Sequence, residues 1–233
     1  MFRFKKFSIE QDMCAMKVGT DGVLLGAWVP LSGAERRVLD IGTGTGVIAL
    51  MMAQRLPEGL ITAIDIMPEC VEQARGNADN SPWGDRVTTL CSSVQEFTPG
   101  HDFDLIISNP PYFENSLKSA DSARTAARHT DTLSYLELLD AVVRLISSKG
   151  HFAVVLPTIE ARRFQMLSFG RLNLVKRVDV RTTPAREPKR TLMLFSMAKS
   201  DAEPTFEELV IQSGHEEFTE QYRALTRDFY LKF

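Results

Sequence analysis

A run of six residues, Ser108-Asn109-Pro110-Pro111-Tyr112-Phe113, has the side chains and the spacing to hold a planar amino group. It follows the apolar segment 103–107, which reads as a buried strand, and the two prolines end that strand because they have no backbone N–H groups. The Asn109 side-chain oxygen and the Pro110 carbonyl then remain available to accept hydrogen bonds, and Tyr112 offers a flat ring beside them. The run predicts a seat for an NH2 group; a proline-rich loop that only ends a strand is the alternative.

A second run, Asp40-Ile41-Gly42-Thr43-Gly44-Thr45-Gly46, lies between a predicted buried strand and a predicted helix at 47–55. Glycine turns of this kind let a ligand approach the backbone N–H groups at the start of a helix. The next predicted strand, 61–65, ends in Asp65, where a carboxylate can accept hydrogen bonds from both hydroxyl groups of a ribose. The G-x-G-x-G spacing and the negative charge of Asp40 favour the cationic S-adenosylmethionine over the pyrophosphate of a dinucleotide.

Strands and helices alternate around these two runs. Further strands are predicted at 86–90, 151–156, 172–180 and 191–197, and helices at 21–28, 68–80, 133–148 and 159–169. The alternation predicts an α/β fold with a Rossmann-like, seven-stranded, mostly parallel sheet whose last strand is antiparallel. We expect a single domain with an N-terminal arm and helix at 1–35, a catalytic core at 36–200 and a C-terminal extension at 201–233.

Composition excludes several classes of protein. The 233 residues, 44% of them hydrophobic, suffice for a full core, and no apolar run approaches the roughly 18 residues needed to span a bilayer. Three scattered cysteines without CxxC spacing favour a reducing compartment over a disulfide scaffold. The four histidines lie in separate regions, so the sequence indicates no metal site. We expect a cytoplasmic monomer that binds no membrane.

Charge is unevenly distributed along a chain whose net charge is −3. Segment 162–190 holds nine basic and two acidic residues, a local charge of +7, whereas segment 201–220 holds seven acidic residues and no Lys or Arg. Opposed charge regions allow a polyanion to bind one side of an acidic protein. The pattern favours RNA binding near a predicted hairpin tip with Arg186, Lys189 and Arg190; an ordinary solvated surface is the alternative.

Residues 40–46, Asp65 and residues 109–112 together resemble the class I S-adenosylmethionine-dependent methyltransferases that act on planar amines. The opening segment Phe7…Gln11-Asp12…Ala15-Met16-Lys17-Val18-Gly19-Thr20-Asp21 and the closing segment 225–233 resemble, more narrowly, the valine tRNA (adenine-37, N6)-methyltransferase family. This similarity spans essentially the whole chain. It implies S-adenosylmethionine as the cofactor, the tRNA anticodon loop as the partner and the N6 amine of adenine 37 as the methyl acceptor.

The residue patterns and the resemblance together assign three sets of site residues. The catalytic set is Asn109, Pro110 and Tyr112. The cofactor-binding set is Val18, Gly19, Thr20, Asp40, Gly42, Gly44, Asp65, Ile66, Ser93, Val94 and Asn109. The substrate-binding set is Tyr112, Phe113, Arg124, Arg128, Arg186, Lys189 and Arg190. Arg124 and Arg128 lie in a polar loop, 114–131, that we expect the substrate to order. Ser93 stands where related enzymes often carry an acid that holds the adenine amine of the cofactor, and its hydroxyl would accept more weakly.

Other functions share parts of this pattern. A glutamine N5-methyltransferase acting on a release factor would present the same NH2 chemistry, as would an N6-adenine or N2-guanine methyltransferase of ribosomal RNA or DNA. A cofactor-sensing module without catalysis would need the glycine turn alone, and the presence of Asn109 and Tyr112 argues against it. The local charge of +7 favours RNA as the substrate.

Overall fold

The computed structural model describes residues 1–111, 133–214 and 217–232. The strands in these ranges are β1 Phe2–Arg3, β2 Ser8–Ile9, β3 Arg37–Ile41, β4 Leu60–Asp65, β5 Val87–Cys91, β6 Phe103–Ser108, β7 Ile146–Pro157, β8 Asn173–Arg181, β9 Arg190–Ser196, β10 Thr205–Val210, β11 Gln212–Gly214 and β12 Glu217–Phe218. The helices are α1 Thr20–Trp28, α2 Val47–Arg55, α3 Pro68–Asp79, α4 Tyr135–Leu145, α5 Thr158–Ser168 and α6 Glu220–Thr226.

Eight strands form the central sheet, in the order β10-β8-β9-β7-β6-β3-β4-β5. The neighbours pair in parallel except for β9, which is antiparallel to both β7 and β8. The chain runs outward from β3 to β5 and then returns to β6 on the other side of β3. Ligands of open α/β sheets bind at such a reversal of strand order, beyond the carboxyl ends of the strands.

The predicted fold class is confirmed, and the sheet has one strand more than the seven predicted. That strand is β10, which pairs in parallel with β8 at the edge of the sheet. Four of its six residues are exposed, so its sequence lacks the apolar run that marks the inner strands. A strand of this kind can be recognised only once its pairing with a neighbouring strand, here β8, is known.

Helices cover both faces of the sheet, and each face has its own apolar core. On one face α1, α2 and α6 pack over side chains that include Val38 and Leu105. On the other face α4 and α5 bury Leu138 and Phe164 completely. Because both faces are covered, the inner strands are continuous apolar runs rather than alternating ones.

The two ends of the chain pack against each other. Phe4 stacks on Tyr230 with 6.1 Å between the ring centroids, and the Lys5 N–H donates to the Phe229 carbonyl at 2.8 Å. The first part of the predicted N-terminal arm forms a small hairpin in which Phe2–Arg3 pairs with Ser8–Ile9. The division of the domain at residues 35 and 200 stays a prediction.

Helix α4 differs from its predicted bounds at both ends, and α1, α3 and α5 differ from theirs by one residue at one or both ends. Ser134 and Glu137 form a capping box, so α4 begins at Tyr135, and it ends at Leu145 instead of continuing to 148. Residues 146–150 already belong to β7, since pairing with β6 there outweighs helix propensity. The N-cap of α1 is Gly19, and no side chain among the described residues caps this helix. Within the described ranges, no helix is both long and apolar enough to cross a bilayer.

Candidate active site

The glycine turn connects the end of β3 with the start of α2. The backbone N–H groups of Gly42 and Thr43 donate to the Ile64 carbonyl at 2.9 and 3.0 Å, which fixes the turn on the end of β4. Gly42 and Gly44 have φ angles of 70° and 52°, a region that favours glycine. Apart from its immediate chain neighbours, a Cβ atom built at either position meets no atom of the described residues within 4 Å. The turn therefore leaves open space along its backbone, as a bound ligand requires.

Asp40 is fully buried beside this turn. Its Oδ2 accepts a hydrogen bond from the Thr43 hydroxyl at 2.7 Å, whereas no described residue makes a hydrogen bond of normal distance and angle to Oδ1, and the Ala49 N–H contributes only a weaker interaction with the carboxyl group. Burial raises the pKa of Asp40 from 3.8 to about 7, and the negative charge of Asp65 adds to that effect. The hydrogen bond from the Thr43 hydroxyl and the weaker interaction with the Ala49 N–H offset only part of the rise in pKa. A buried carboxylate oxygen without a partner needs a donor, and a ligand ammonium group would supply one.

Asp65 ends β4 and is half-buried. Its Oδ2 accepts from the Gly44 N–H at 2.9 Å, and its Oδ1 accepts from the Met67 N–H at 3.0 Å. Each carboxylate oxygen can accept a second hydrogen bond, so both remain able to bind a ribose hydroxyl. Asp65 also fixes the shape of the glycine turn, a role that the sequence analysis missed.

Three other predicted cofactor contacts lie at the same edge of the sheet. Ile66 follows Asp65 and is exposed, and Ser93 and Val94 follow β5. The Ser93 hydroxyl accepts from the Glu96 N–H at 3.3 Å and donates to the Glu96 carboxylate at 3.4 Å. Ser93 therefore already serves a local turn, and its contact with the cofactor stays a prediction.

The predicted amine seat is at the end of β6, across the reversal of strand order from the glycine turn. Asn109 is half-buried and Pro110 is buried. The Ser108 hydroxyl donates to the Ile41 carbonyl at 2.8 Å and so ties the end of β6 to the end of β3. A Cβ atom at Gly22 would lie 3.8 Å from Asn109 Nδ2, which makes the first turn of α1 a wall of the seat.

Two buried amides of α3, which the sequence analysis missed, hold the N-terminal arm against the glycine turn. Asn77 Oδ1 accepts from the Glu10 N–H at 2.8 Å, and Asn77 Nδ2 donates to the Glu10 and Thr45 carbonyls at 2.9 Å. Gln73 Oε1 accepts from the Met13 N–H at 2.9 Å. Amides inside a helix sequence give no local signal of this role, because their partners in the arm lie 60 or more residues earlier in the chain and Thr45 lies 32 residues earlier.

The same arm places the predicted contacts Val18, Gly19 and Thr20 at the start of α1. Gln11 Oε1 accepts from the Val18 N–H at 2.9 Å, and the Lys17 ammonium donates to the Gln11 carbonyl. The segment before α1 is therefore held in place by Gln11. Whether Val18, Gly19 and Thr20 contact the cofactor stays a prediction.

Segment 162–190 is less positive in the folded protein than in the sequence. Ion pairs join five of its nine basic residues to acids: Arg171 to Asp140, Lys176 to Glu207, Arg177 to Asp179, Arg181 to Glu208 and Arg190 to Asp21. Glu207 and Glu208 belong to the acidic segment 201–220 and reach the basic residues because β10 pairs with β8. The prediction of two opposed charge regions is therefore wrong for this part of the surface.

The turn between β8 and β9, residues 182–189, lies at the same edge of the sheet as Asn109. This follows from the antiparallel pairing of β7 and β9, in which Pro157 is opposite Arg190. Arg186 and Lys189 are exposed on the turn. Arg190 was predicted at the tip, but it is the first residue of β9, and its Nε donates to Asp21 Oδ2 at 2.6 Å.

Four predicted substrate contacts lie outside the described residues. These are Tyr112, Phe113, Arg124 and Arg128, and the predicted loop 114–131 lies outside them as well. Their roles stay predictions. In the part of the chain that the structure describes, no three His, Cys, Asp or Glu side chains are grouped as a metal site would need.

Comparison with known proteins places this geometry in a family. The model of the Methyltransferase small domain matches residues 17–158. A tRNA1(Val) (adenine(37)-N6)-methyltransferase from Bacteroides fragilis (strain YCH46) is 44% identical over 99% of this chain and 98% of its own. A protein with the same name from Trichodesmium erythraeum (strain IMS101) is 46% identical over 100% of this chain and 98% of its own length. The chain belongs to this methyltransferase family. A solved structure described as a predicted O-methyltransferase from Agrobacterium tumefaciens shares the fold, with a TM-score of 0.71 and 20% identity over 90% of this chain and 96% of its own.

The residues around the glycine turn fit S-adenosylmethionine, the methyl donor of this family. The unpartnered Asp40 Oδ1 suits the cationic end of the cofactor, and the Asp65 carboxylate suits the ribose hydroxyl groups. The open space beside Gly42 and Gly44 lies between these two acids along the chain. The donor set and the open space agree with this cofactor.

Replacing Asp65 with alanine is expected to weaken S-adenosylmethionine binding by about ten- to a hundredfold, since charged hydrogen bonds contribute roughly 1.5–3 kcal/mol. The loss includes the contribution of Asp65 to the turn, because the Gly44 and Met67 N–H groups lose their acceptor. Calorimetric titration with S-adenosylmethionine measures the effect. Asp79→Ala, an exposed acid at the end of α3, is the matched control. Equal affinities for the wild-type protein and Asp65→Ala would remove Asp65 from the cofactor site.

Proposed function

We propose that this protein transfers a methyl group from S-adenosylmethionine to the N6 amine of adenine 37 in the anticodon loop of tRNA(Val). The observation that carries the proposal is the placement of Asn109 and Pro110 at the end of β6, beside the glycine turn. Support for the substrate comes from the family: relatives named for this reaction are 42–46% identical over nearly the whole chain.

The exocyclic amine of adenine needs activation because its lone pair is delocalised into the ring. The Asn109 side-chain oxygen and the Pro110 carbonyl would each accept one N–H of the amine and direct the lone pair toward the methyl group. Both acceptors bind the developing cation more strongly than the neutral amine, so they lower the barrier instead of only binding the substrate. When bound, the sulfonium would supply an electrophilic methyl group: the S–CH3 bond breaks as the N–CH3 bond forms, the neutral thioether leaves, and the methylated amine then loses one proton to solvent, so no nucleophilic side chain is required.

Adenine 37 must leave its stack in the anticodon loop to reach this seat. Among the described residues, the first turn of α1 lies on one side of Asn109, and buried Pro110 follows it. The predicted stacking of Tyr112 on the base would compensate for part of the lost stacking energy. RNA shape, phosphates and splayed bases would supply the rest of the recognition.

Methylation of defined transcripts tests the proposal. The protein is incubated with tritiated S-adenosylmethionine and a tRNA(Val) transcript, and in parallel with the same transcript carrying guanine at position 37. We expect label in the first transcript alone, recovered as N6-methyladenosine after digestion. Label in a release factor, ribosomal RNA or DNA but not in tRNA would overturn the proposed substrate and favour the corresponding alternative.

Exposed basic side chains near the active-site edge form a surface that suits the RNA backbone. Arg186 and Lys189 lie on the turn 182–189, and Arg162 and Arg163 are exposed on α5. The first residue of α5, Thr158, donates through its N–H and its hydroxyl to carbonyls of that turn, at 3.3 and 3.1 Å, so the two parts are adjacent. Among the described residues none of these four cations has an ion-pair partner. We include all four in the proposed tRNA surface.

Removing two of these charges is expected to reduce the salt dependence of tRNA binding. Each neutralised phosphate contributes a slope of about −0.7 to −0.9 in a plot of log affinity against log salt. The double variant Arg186→Ala/Lys189→Ala should therefore flatten the slope by about 1.4 to 1.8 units, without affecting S-adenosylmethionine binding. Filter binding over a salt series measures it.

The matched control for this experiment is Lys149→Ala/Lys199→Ala. Both lysines are exposed, and they lie at the opposite edge of the sheet, where β7 begins and where the chain leaves β9. The control should retain the wild-type slope. If both double variants flatten the slope equally, the RNA is not bound at the turn 182–189.

A further inference from the structure

An ion pair connects the turn 182–189 with the wall of the amine seat. Arg190 Nε donates to Asp21 Oδ2 at 2.6 Å, and the two side chains are 34% and 23% exposed. Arg190 directly follows the turn at the start of β9, and Asp21 lies in the first turn of α1, directly before Gly22. The pair therefore joins two elements that are 169 residues apart in the sequence.

The first turn of α1 is packed between the two halves of the site. A Cβ atom at Gly22 would lie 3.6 Å from Val47 Cγ1, at the start of α2, and 3.8 Å from Asn109 Nδ2. A shift of this turn would change the space around Asn109 directly. The N-cap of α1 is Gly19, and no side-chain hydrogen bond caps the helix among the described residues. The first turn therefore depends on contacts from outside the helix, and Arg190 provides a charged one.

We propose that Arg190 is a positioning residue of the methyl-transfer site: through Asp21 it holds the first turn of α1 against Asn109, and it does not bind an RNA phosphate. Its guanidinium is directed to a carboxylate of the protein, whereas Arg186 and Lys189 on the same turn are exposed. The inference deepens the proposed function and rests on it. It replaces the expectation that all three basic residues contact RNA.

The test is a double-mutant cycle in steady-state kinetics with the tRNA(Val) transcript. Arg190→Gln and Asp21→Asn are each expected to lower kcat by about tenfold, since a misplacement of about 1 Å at a reacting group can cost up to a hundredfold. The KM for tRNA should stay within about twofold of the wild-type value, and the salt slope of tRNA binding should stay within about 0.3 units of it. The double variant should be no slower than the slower single variant, because both changes remove the same interaction.

The matched control is the ion pair between Lys176 and Glu207, which joins β8 to the edge strand β10 at 2.7 Å. Lys176→Gln and Glu207→Gln should leave kcat at the wild-type value. Thermal unfolding checks that each variant is folded. If Arg190→Gln is not folded, Arg190→Lys replaces it, with an expected loss of about threefold because lysine keeps the charge but not the geometry of the guanidinium.

Three results would overturn the inference. The first is a salt slope flattened by about 0.7–0.9 units in Arg190→Gln with kcat unchanged, which would make Arg190 a phosphate contact. The second is a double variant whose loss in kcat is the product of the single losses. The third is an equal loss of kcat in the control pair. Failure of the proposed function would be seen separately, as an absence of label in the tRNA(Val) transcript with the wild-type protein.

Discussion

Asn109→Ala is expected to lower the rate of methyl transfer by about ten- to a hundredfold or more, which corresponds to roughly 1.4–2.8 kcal/mol of barrier. The reason is the loss of one of two acceptors that bind the developing cation more strongly than the neutral amine. Cofactor binding should weaken much less, because Asp40 and Asp65 lie on other strands. Single-turnover kinetics at saturating cofactor, together with calorimetry, separate the two quantities.

Asn80→Ala is the matched control for this substitution. Asn80 is an exposed asparagine at the end of α3, where its amide donates to the Gly76 carbonyl at 2.8 Å, at the edge of the sheet away from the seat. We expect the wild-type turnover from this variant. If Asn109→Ala keeps the wild-type turnover as well, the run 108–113 only ends a strand, and the proposed chemistry is wrong.

The ionisation of Asp40 is expected to produce the largest effect on stability. Its pKa is about 7 in the folded protein and 3.8 as its ordinary value, so between these values the folded state binds a proton that the unfolded state does not. The contribution of Asp40 to the free energy of unfolding is thus fully present below about pH 4, where Asp40 is protonated in both states. It decreases as the pH rises from about 4 and is lost once the pH has passed through about 7. With a shift of about 3 pH units, the total loss is on the order of 4 kcal/mol.

Urea unfolding of the cofactor-free protein over this pH range measures the loss. The free energy of unfolding of the wild-type protein should fall relative to that of Asp40→Asn, which cannot ionise, and the difference should be constant above about pH 7. S-Adenosylmethionine should bind more tightly as the pH rises toward 7, because its cationic end favours the ionised carboxylate. A wild-type minus Asp40→Asn difference that does not change with pH would show that Asp40 is ionised throughout.

The sequence alone predicted most of the fold and the position of the site. Helix α2 has the predicted bounds, and the predicted ends of β3, β4 and β6 differ from the observed ones by at most one residue. These elements are readable because buried parallel strands are continuous apolar runs, and because glycines and prolines end them through local backbone geometry. Once the strands are placed, their carboxyl ends must share one edge, which brings Asp40, Asp65 and Asn109 together.

Only the tertiary structure decided which polar side chains already form ion pairs or hydrogen bonds within the protein. Arg190 read as a hairpin-tip cation, yet it pairs with Asp21 of α1, and β10 brings acidic residues beside the basic ones of β8. Asn77 and Gln73 read as ordinary helix residues, yet they hold the N-terminal arm to the glycine turn. The physical reason is the same in each case: the backbone conformation of the elements around the site is encoded largely by neighbouring residues, whereas the partner of a long polar side chain, like the pairing that makes β10 a strand, is set by elements that fold back from distant parts of the chain.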